Sequence, residues 1–126
     1  MSERMRDKKR VLVVDDEPGI INFVRANLRL AGYEVISTTS GEEALQLAKS
    51  EEPDIMLLDI LMVPVTGLDV LDRLRGFSQI PVIVFTARSF IAEKAMQLGA
   101  NGFIGKPFKP EELTKKIEEV LKSSAT

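Results

Sequence analysis

The chain has 126 residues, of which 44% are hydrophobic and 29% are charged, as expected for one globular domain. It contains no cysteine and no histidine, which excludes disulfide bonds, thiolate or imidazole metal sites and histidine-dependent catalytic triads. The 17 Lys and Arg residues against 19 Asp and Glu residues give a net charge of −2, which does not favour nucleic-acid binding.

The two ends of the chain are polar. Residues 1–9 carry scattered charges without the apolar core of a signal peptide, and we expect a flexible arm there. Residues 123–126 are small and polar, so we expect a tail or the start of a linker, which leaves one domain over residues 10–122. No apolar run approaches the roughly 20 residues of a membrane span, and we expect a cytoplasmic protein without membrane contact.

Five short apolar runs alternate with five amphipathic stretches. In chain order they predict a strand at 11–14, a helix at 18–31, a strand at 33–36, a helix that begins after Ser40, a strand at 55–58, a helix at 67–75, a strand at 81–85, a helix at 90–98, a strand at 102–104 and a helix that begins at Pro110. Runs that are apolar on both faces are typical of parallel strands covered by helices on each side. The pattern predicts a three-layer α/β sandwich with right-handed crossovers.

Three local signals support the helix boundaries. Pro18 stands in a first turn, and Gly32 follows the first helix as a C′ glycine would. Ser40 followed three residues later by Glu43 predicts a capping box at the start of the second helix.

Polar residues follow four of the five predicted strands. Asp15-Asp16-Glu17 follows the first strand, Asp59 the third, Thr86 the fourth and Lys106 the fifth. Ligands of an open parallel α/β sheet bind beyond the carboxyl ends of its strands. We therefore expect the functional site at this edge of the sheet.

Asp15 and Asp16 have two interpretations. One aspartate could cap the first helix, but two aspartates followed by Glu17 exceed that need. If Asp59 lies close to them, several like charges share a small site, and a hard divalent cation would relieve their repulsion. Carboxylates and water suit Mg²⁺, so the sequence predicts a metal site, with helix capping as the alternative.

The other three residues also have two interpretations each. Asp59 either ends a strand at the surface or is a carboxylate nucleophile that forms an acyl phosphate. Thr86 and Lys106 are either ordinary surface residues or ligands of a phosphoryl group. Their occurrence together favours phosphoryl chemistry, and Pro107 directly after Lys106 suggests a cis peptide bond that holds the lysine.

In this order the motifs resemble the receiver domain of two-component response regulators. The resemblance covers about residues 10–122 and rests on VLVVDDE at 11–17, LLDILM at 57–62 with Gly67, FTA at 85–87, GA at 99–100 and KPF at 106–108. It implies a flavodoxin-like fold, with a five-stranded parallel sheet in the order 2-1-3-4-5 and five helices. It also implies a signalling switch rather than a dedicated enzyme, although such a domain catalyses its own phosphorylation and dephosphorylation.

The resemblance implies a role for each site residue. Asp59 is expected to accept a phosphoryl group from a sensor histidine kinase or phosphotransfer protein. Mg²⁺ is expected to bind at Asp15, Asp16, Asp59 and the backbone carbonyl of Leu61, with Asp15 acting mostly through water. Lys106 is expected to be the counter-ion of the phosphoryl group.

Further expectations concern switching and rate. Thr86 is expected to move towards the phosphoryl group, with Phe103 as the aromatic switch residue; a static, buried Phe103 is the alternative. Together they would change the surface of helix 4, strand 5 and helix 5, through which a homodimer is conceivable. Leu61 and Arg88 lie two residues after Asp59 and Thr86 and are expected to overhang the site. An apolar Leu61 would hinder the attacking water and lengthen the lifetime of the acyl phosphate.

The chain departs from the family pattern in three places. Val63 stands where the family usually has proline, and Pro64 comes one residue later, while Gly67 keeps its place. The stretch 86–106 is about two residues shorter than usual, which trims helix 4 or the loop before it. Phe103 lacks the hydroxyl that a tyrosine would supply.

Three other functions remain as alternatives. The first is a pseudo-receiver, a docking domain that is never phosphorylated. The second is an aspartate-nucleophile phosphatase, which would want Asp-x-Asp after the first strand rather than Asp15-Asp16-Glu17. The third is a flavin binder, whose phosphate the same acidic run would repel.

Overall fold

The computed structural model describes residues 8–125, in which five strands alternate with five helices. In chain order they are β1 (Arg10–Val14), α1 (Pro18–Leu30), β2 (Glu34–Thr38), α2 (Gly41–Ser50), β3 (Ile55–Asp59), α3 (Gly67–Leu74), β4 (Val82–Thr86), α4 (Ser89–Gln97), β5 (Gly102–Gly105) and α5 (Pro110–Ala125).

The strands form one parallel sheet in the order β2-β1-β3-β4-β5. The expected flavodoxin-like architecture and strand order are confirmed. In this register Asp59 lies opposite Phe85, and Thr86 lies opposite Gly105. The pairing brings the ends of the central strands to the same edge of the sheet.

Two apolar clusters cover the two faces of the sheet. Alternate β1 residues divide between them, so that Leu12 and Val14 join one cluster while Val11 and Val13 join the other. The first cluster contains buried residues of α2, α3 and α4, and the second those of α1 and α5. Because the central strands β1, β3 and β4 bury side chains on both faces, each is a nearly continuous apolar run.

Two of the three boundary signals give the expected geometry. Pro18 is the first residue of α1, and Gly32 after α1 has a φ of +97°, which a residue with a Cβ rarely adopts.

Strand β2 begins at Glu34, so the inclusion of Tyr33 in that strand was wrong.

The capping box predicted for α2 is only half formed. Ser40 Oγ accepts a hydrogen bond from the Glu43 amide at 3.1 Å, as expected. The Ser40 amide, however, donates to Thr38 Oγ1 at 3.0 Å, and the Thr38 hydroxyl in turn donates to the Glu43 carboxylate. The predicted bond from the Ser40 amide to the Glu43 carboxylate is therefore replaced by two bonds through Thr38, the last residue of β2.

A complete capping box occurs instead at α3. Thr66 Oγ1 accepts from the Asp69 amide at 3.1 Å, and Asp69 Oδ2 accepts from the Thr66 amide at 3.2 Å. This box, which was not predicted from the sequence, fixes the start of the helix that follows the Asp59 loop.

The ends of the chain only partly fall within the described residues. Of the predicted flexible arm, residues 1–7 lie outside them. At the other end α5 continues to Ala125, past the expected domain boundary at residue 122. Within residues 8–125, no helix combines the length and apolar character needed to cross a membrane.

Candidate functional site

The site lies at the carboxyl edge of the sheet. Asp59 and Thr86 are the last residues of β3 and β4, Asp15 directly follows β1, and Lys106 directly follows β5. Asp15, Asp59 and Thr86 are at most 3% exposed. The parallel strands thus bring together four polar residues that the sequence analysis selected.

Lys106 bridges the two buried carboxylates. Its Nζ lies 3.1 Å from Asp15 Oδ2 and 3.4 Å from Asp59 Oδ1, with Glu17 Oε1 at 3.8 Å. The Lys106–Pro107 peptide bond is cis, as the sequence suggested. The lysine therefore faces the carboxylates that the resemblance assigned to metal and phosphoryl binding.

The site carries more negative charge than the lysine compensates. Burial raises the pKa of Asp15. The hydrogen bond from the Glu17 amide and the charge of Lys106 lower it, but burial outweighs them. Burial followed by the like charge of Asp15 raises the pKa of Asp59, although Lys106 and the Leu61 amide oppose this. For Lys106, burial lowers the pKa, but the two carboxylates outweigh it and the net shift is upward.

Three carboxylates at this site could hold one cation. Asp15, Asp16 and Asp59 each offer an oxygen, and these oxygens all lie within 4.8 Å of one another. Asp16 is partly exposed, whereas the other two are buried, so one side of the cluster is open to water. An all-oxygen set with surplus negative charge and access for water fits a hard cation such as Mg²⁺.

Helix capping does not explain the two aspartates. The N-cap residue of α1 is Glu17, and its side chain makes no capping hydrogen bond. Asp15 Oδ1 accepts from the Glu17 amide at 2.9 Å, before the helix begins. The capping alternative was therefore wrong for α1.

Thr86 is hydrogen-bonded to the loop that follows β4 and to the loop that follows β5. Its backbone carbonyl accepts from the Lys106 amide at 3.0 Å, and its Oγ1 accepts from the Arg88 amide at 3.1 Å. The hydroxyl keeps its own hydrogen to donate, which is what contact with a phosphoryl oxygen would require.

The loop after Asp59 leaves Leu61 at the surface. Leu61 is 49% exposed, whereas Ile60 and Met62 on either side are 2% exposed and anchor the loop. The Val63–Pro64 peptide bond is cis, and the Gly67 amide donates to the Ile60 carbonyl at 2.9 Å. The unusual Val63-Pro64 pair is thus accommodated in a closed loop.

Arg88 and Phe103 differ in exposure. Arg88 is exposed and precedes α4. Phe103 is partly buried and packs on the cluster formed with α2, α3 and α4, consistent with an inward position. The role of the Leu61 carbonyl in metal binding stays a prediction.

One contact at the site was not predicted from the sequence. The Lys106 ammonium lies over the ring of Phe85, with its Nζ 5.0 Å from the ring centroid. The sequence signal that could have predicted this contact is Phe85 itself, an aromatic residue directly before Thr86 in a strand that ends at the site.

The fold and the site together define a receiver domain. The family model described as "Response regulator receiver domain" matches residues 11–118 of this chain. The chain therefore belongs to the response regulator receiver family.

Curated relatives and solved structures agree with this assignment. The chain is 40% identical over 117 residues to "Probable transcriptional regulator ycf27" of Porphyridium aerugineum, covering 91% of this chain and 49% of the relative. It is 36% identical over 119 residues to "Alkaline phosphatase synthesis transcriptional regulatory protein PhoP" of Bacillus subtilis, covering 92% and 50%. Thus the chain spans about half the length of these relatives.

The structural similarity extends over nearly the whole chain. The crystallised chemotaxis protein CheY4 of Vibrio cholerae matches with a TM-score of 0.85 and 33% identity, covering 90% of this chain and 98% of the other.

Proposed function

We propose that this domain is a phosphorylation-controlled switch in which Asp59 accepts a phosphoryl group from a partner histidine kinase or phosphotransfer protein. The observation that carries the proposal is Lys106 Nζ placed between two buried carboxylates, 3.1 Å from Asp15 and 3.4 Å from Asp59. A lysine there is positioned to neutralise charge on a phosphoryl group attached to Asp59.

The charges in the site suit the transfer of a phosphoryl group to Asp59. A carboxylate oxygen of Asp59 attacks phosphorus, the donor's bond to phosphorus breaks, and the electron pair leaves with the donor. The transition state of phosphoryl transfer is loose, so positioning and charge stabilisation dominate over covalent assistance. Lys106 supplies one fixed positive charge for the equatorial oxygens.

The metal requirement rests on the carboxylate cluster. Asp15, Asp16 and Asp59 would hold Mg²⁺, with the Leu61 carbonyl as a further ligand. When bound, Mg²⁺ would supply the positive charge that Lys106 alone does not provide.

The switch uses residues that link the site to neighbouring elements. A phosphoryl group on Asp59 attracts the hydroxyl of Thr86, whose Oγ1 accepts from the Arg88 amide and whose backbone carbonyl accepts from the Lys106 amide. Movement there biases the packing of α4, β5 and α5, including Phe103. A cytoplasmic location and a homodimer through this surface remain parts of the proposal.

Mass spectrometry tests the proposal directly. We expect a single phosphoryl adduct after incubation with acetyl phosphate and Mg²⁺, and none with Asp59→Asn or with EDTA. Asp72→Asn, which changes an exposed carboxylate of α3, serves as the matched control and should be phosphorylated like the parent. A folded parent without an adduct would favour the pseudo-receiver alternative.

A further inference from the structure

The ring of Phe85 forms part of the lysine site. It is 1% exposed, lies opposite Asp59 in the sheet register, and has the Lys106 Nζ 5.0 Å from its centroid. The negative face of an aromatic ring attracts a cation, and the attraction is stronger where both groups are removed from water. Phe85 is therefore a further attractive group for the ammonium, beside the carboxylates of Asp15, Asp59 and Glu17.

A second ring packs against Phe85. The centroids of Phe85 and Phe108 are 5.8 Å apart, and their planes are inclined by 83°, an edge-to-face pair. Phe108 follows Lys106 by two residues, and on its other side its centroid lies 6.2 Å from that of Phe23 on α1. The loop that carries Lys106 is thus packed against the ring that its own ammonium faces.

The ring differs from the carboxylates in one chemical respect. Asp15 and Asp59 attract the ammonium, but their oxygens also belong to the cluster that suits a cation. A phenyl ring offers no oxygen ligand, so the contact of Lys106 with Phe85 does not compete with metal binding. Because lysine has a long, flexible stem, a contact that persists would restrict its position.

We propose that Phe85, packed against Phe108, is a positioning residue that keeps the Lys106 ammonium beside Asp59. Its consequence for phosphoryl transfer rests on the proposed function. The contact itself concerns the unphosphorylated, metal-free protein.

Leucine substitutions at Phe85 and Phe108 test the contact. The ring current of Phe85 should shift the Lys106 Hε resonances upfield in the metal-free protein. We expect Phe85→Leu to abolish this shift and Phe108→Leu to reduce it. Phe77→Leu is the matched control, because it removes a lysine–ring contact of 4.6 Å to Lys49 away from the site. Lys106 resonances that Phe85→Leu leaves unchanged would overturn the proposal.

The reaction rate gives the second readout. With acetyl phosphate and Mg²⁺, Phe85→Leu should slow phosphorylation by about 2- to 30-fold, the range of a partly to fully desolvated cation–ring contact. Phe77→Leu should not slow it. In a Lys106→Met background, Phe85→Leu should cause no further slowing, whereas independent effects would overturn the positioning role.

A fluorinated ring covers the case in which Phe85→Leu does not fold. Replacing Phe85 with 3,4,5-trifluorophenylalanine nearly keeps the ring's shape but weakens its negative face. Slower phosphorylation is expected, and an unchanged rate would overturn the proposal.

The two readouts separate this inference from the proposed function. If the parent is not phosphorylated but the Lys106 shift depends on Phe85, the proposed function fails and the contact stands. If the parent is phosphorylated and the shift does not depend on Phe85, the contact fails and the proposed function stands.

Discussion

A Cβ atom placed on Gly67 would lie 2.2 Å from the backbone carbonyl oxygen of Asp59. It would also lie 2.6 Å from the Cα atom of Ile60. Both contacts are with backbone, which cannot rotate away as a side chain could. The first residue of α3 thus packs directly against the chain that presents the candidate phosphoacceptor.

We expect Gly67→Ala to destabilise the domain by about 3 kcal/mol, because the new methyl group must displace the Asp59 backbone. Gly19→Ala is the matched control, since a Cβ there meets nothing within 4 Å and alanine favours a helix. It should stabilise α1 by about 0.5 kcal/mol. Urea unfolding measures both, and equal stabilities of the two variants would contradict the steric argument.

Asp59→Asn should stabilise the metal-free domain near neutral pH. The pKa of Asp59 is raised from 3.8, chiefly by burial and then by Asp15, so its ionised form is disfavoured in the folded state. The parent then loses stability as pH rises through the raised pKa, and asparagine avoids that loss.

The advantage of Asp59→Asn should therefore disappear in acid, below pH 3.8, where the parent carboxyl group is protonated in both states. Denaturant unfolding at neutral and acid pH measures it, with Asp72→Asn as the exposed control. An advantage that grows as pH falls would refute the assigned sign.

Mg²⁺ should raise the free energy of unfolding in a saturable manner, by about 2.7 kcal/mol at one hundred times its dissociation constant. EDTA should reverse the effect. Asp16→Asn removes one of the three clustered carboxylates and should weaken binding, whereas Glu42→Gln on the exposed surface of α2 should not. Equal stabilisation of the parent and Asp16→Asn by Mg²⁺ would place the ion elsewhere.

Leu61→Asn should shorten the lifetime of the acyl phosphate several-fold. Leu61 is 49% exposed in the loop that follows Asp59, and a polar amide there would admit and orient water. Leu30→Asn, at a position that is 87% exposed at the end of α1, controls for loss of a surface leucine. The decay of the phosphoryl adduct by intact mass measures the lifetime, and identical decay of Leu61→Asn and parent would count against shielding.

Much of the fold and of the candidate site could be predicted because the relevant signals are local. The central strands β1, β3 and β4 are short apolar runs whose last residue, or the next one, is polar, as at Asp59 and Thr86. The failed part of the capping box at Ser40 shows the limit of such signals. The three-residue spacing of Ser40 and Glu43 does not reveal that Thr38 accepts the hydrogen bond of the Ser40 amide and donates one to the Glu43 carboxylate.

The sequence by itself determined the alternation of strands and helices, and which polar residues end the strands, because an apolar run and the polar residue that follows it are adjacent in the chain. The tertiary structure decided which of these residues meet. Lys106 contacts Asp15 across 91 residues and Asp59 across 47, and it lies over the ring of Phe85. Burial and interatomic distance set the charge balance of the site, and both exist only once the five strands have paired.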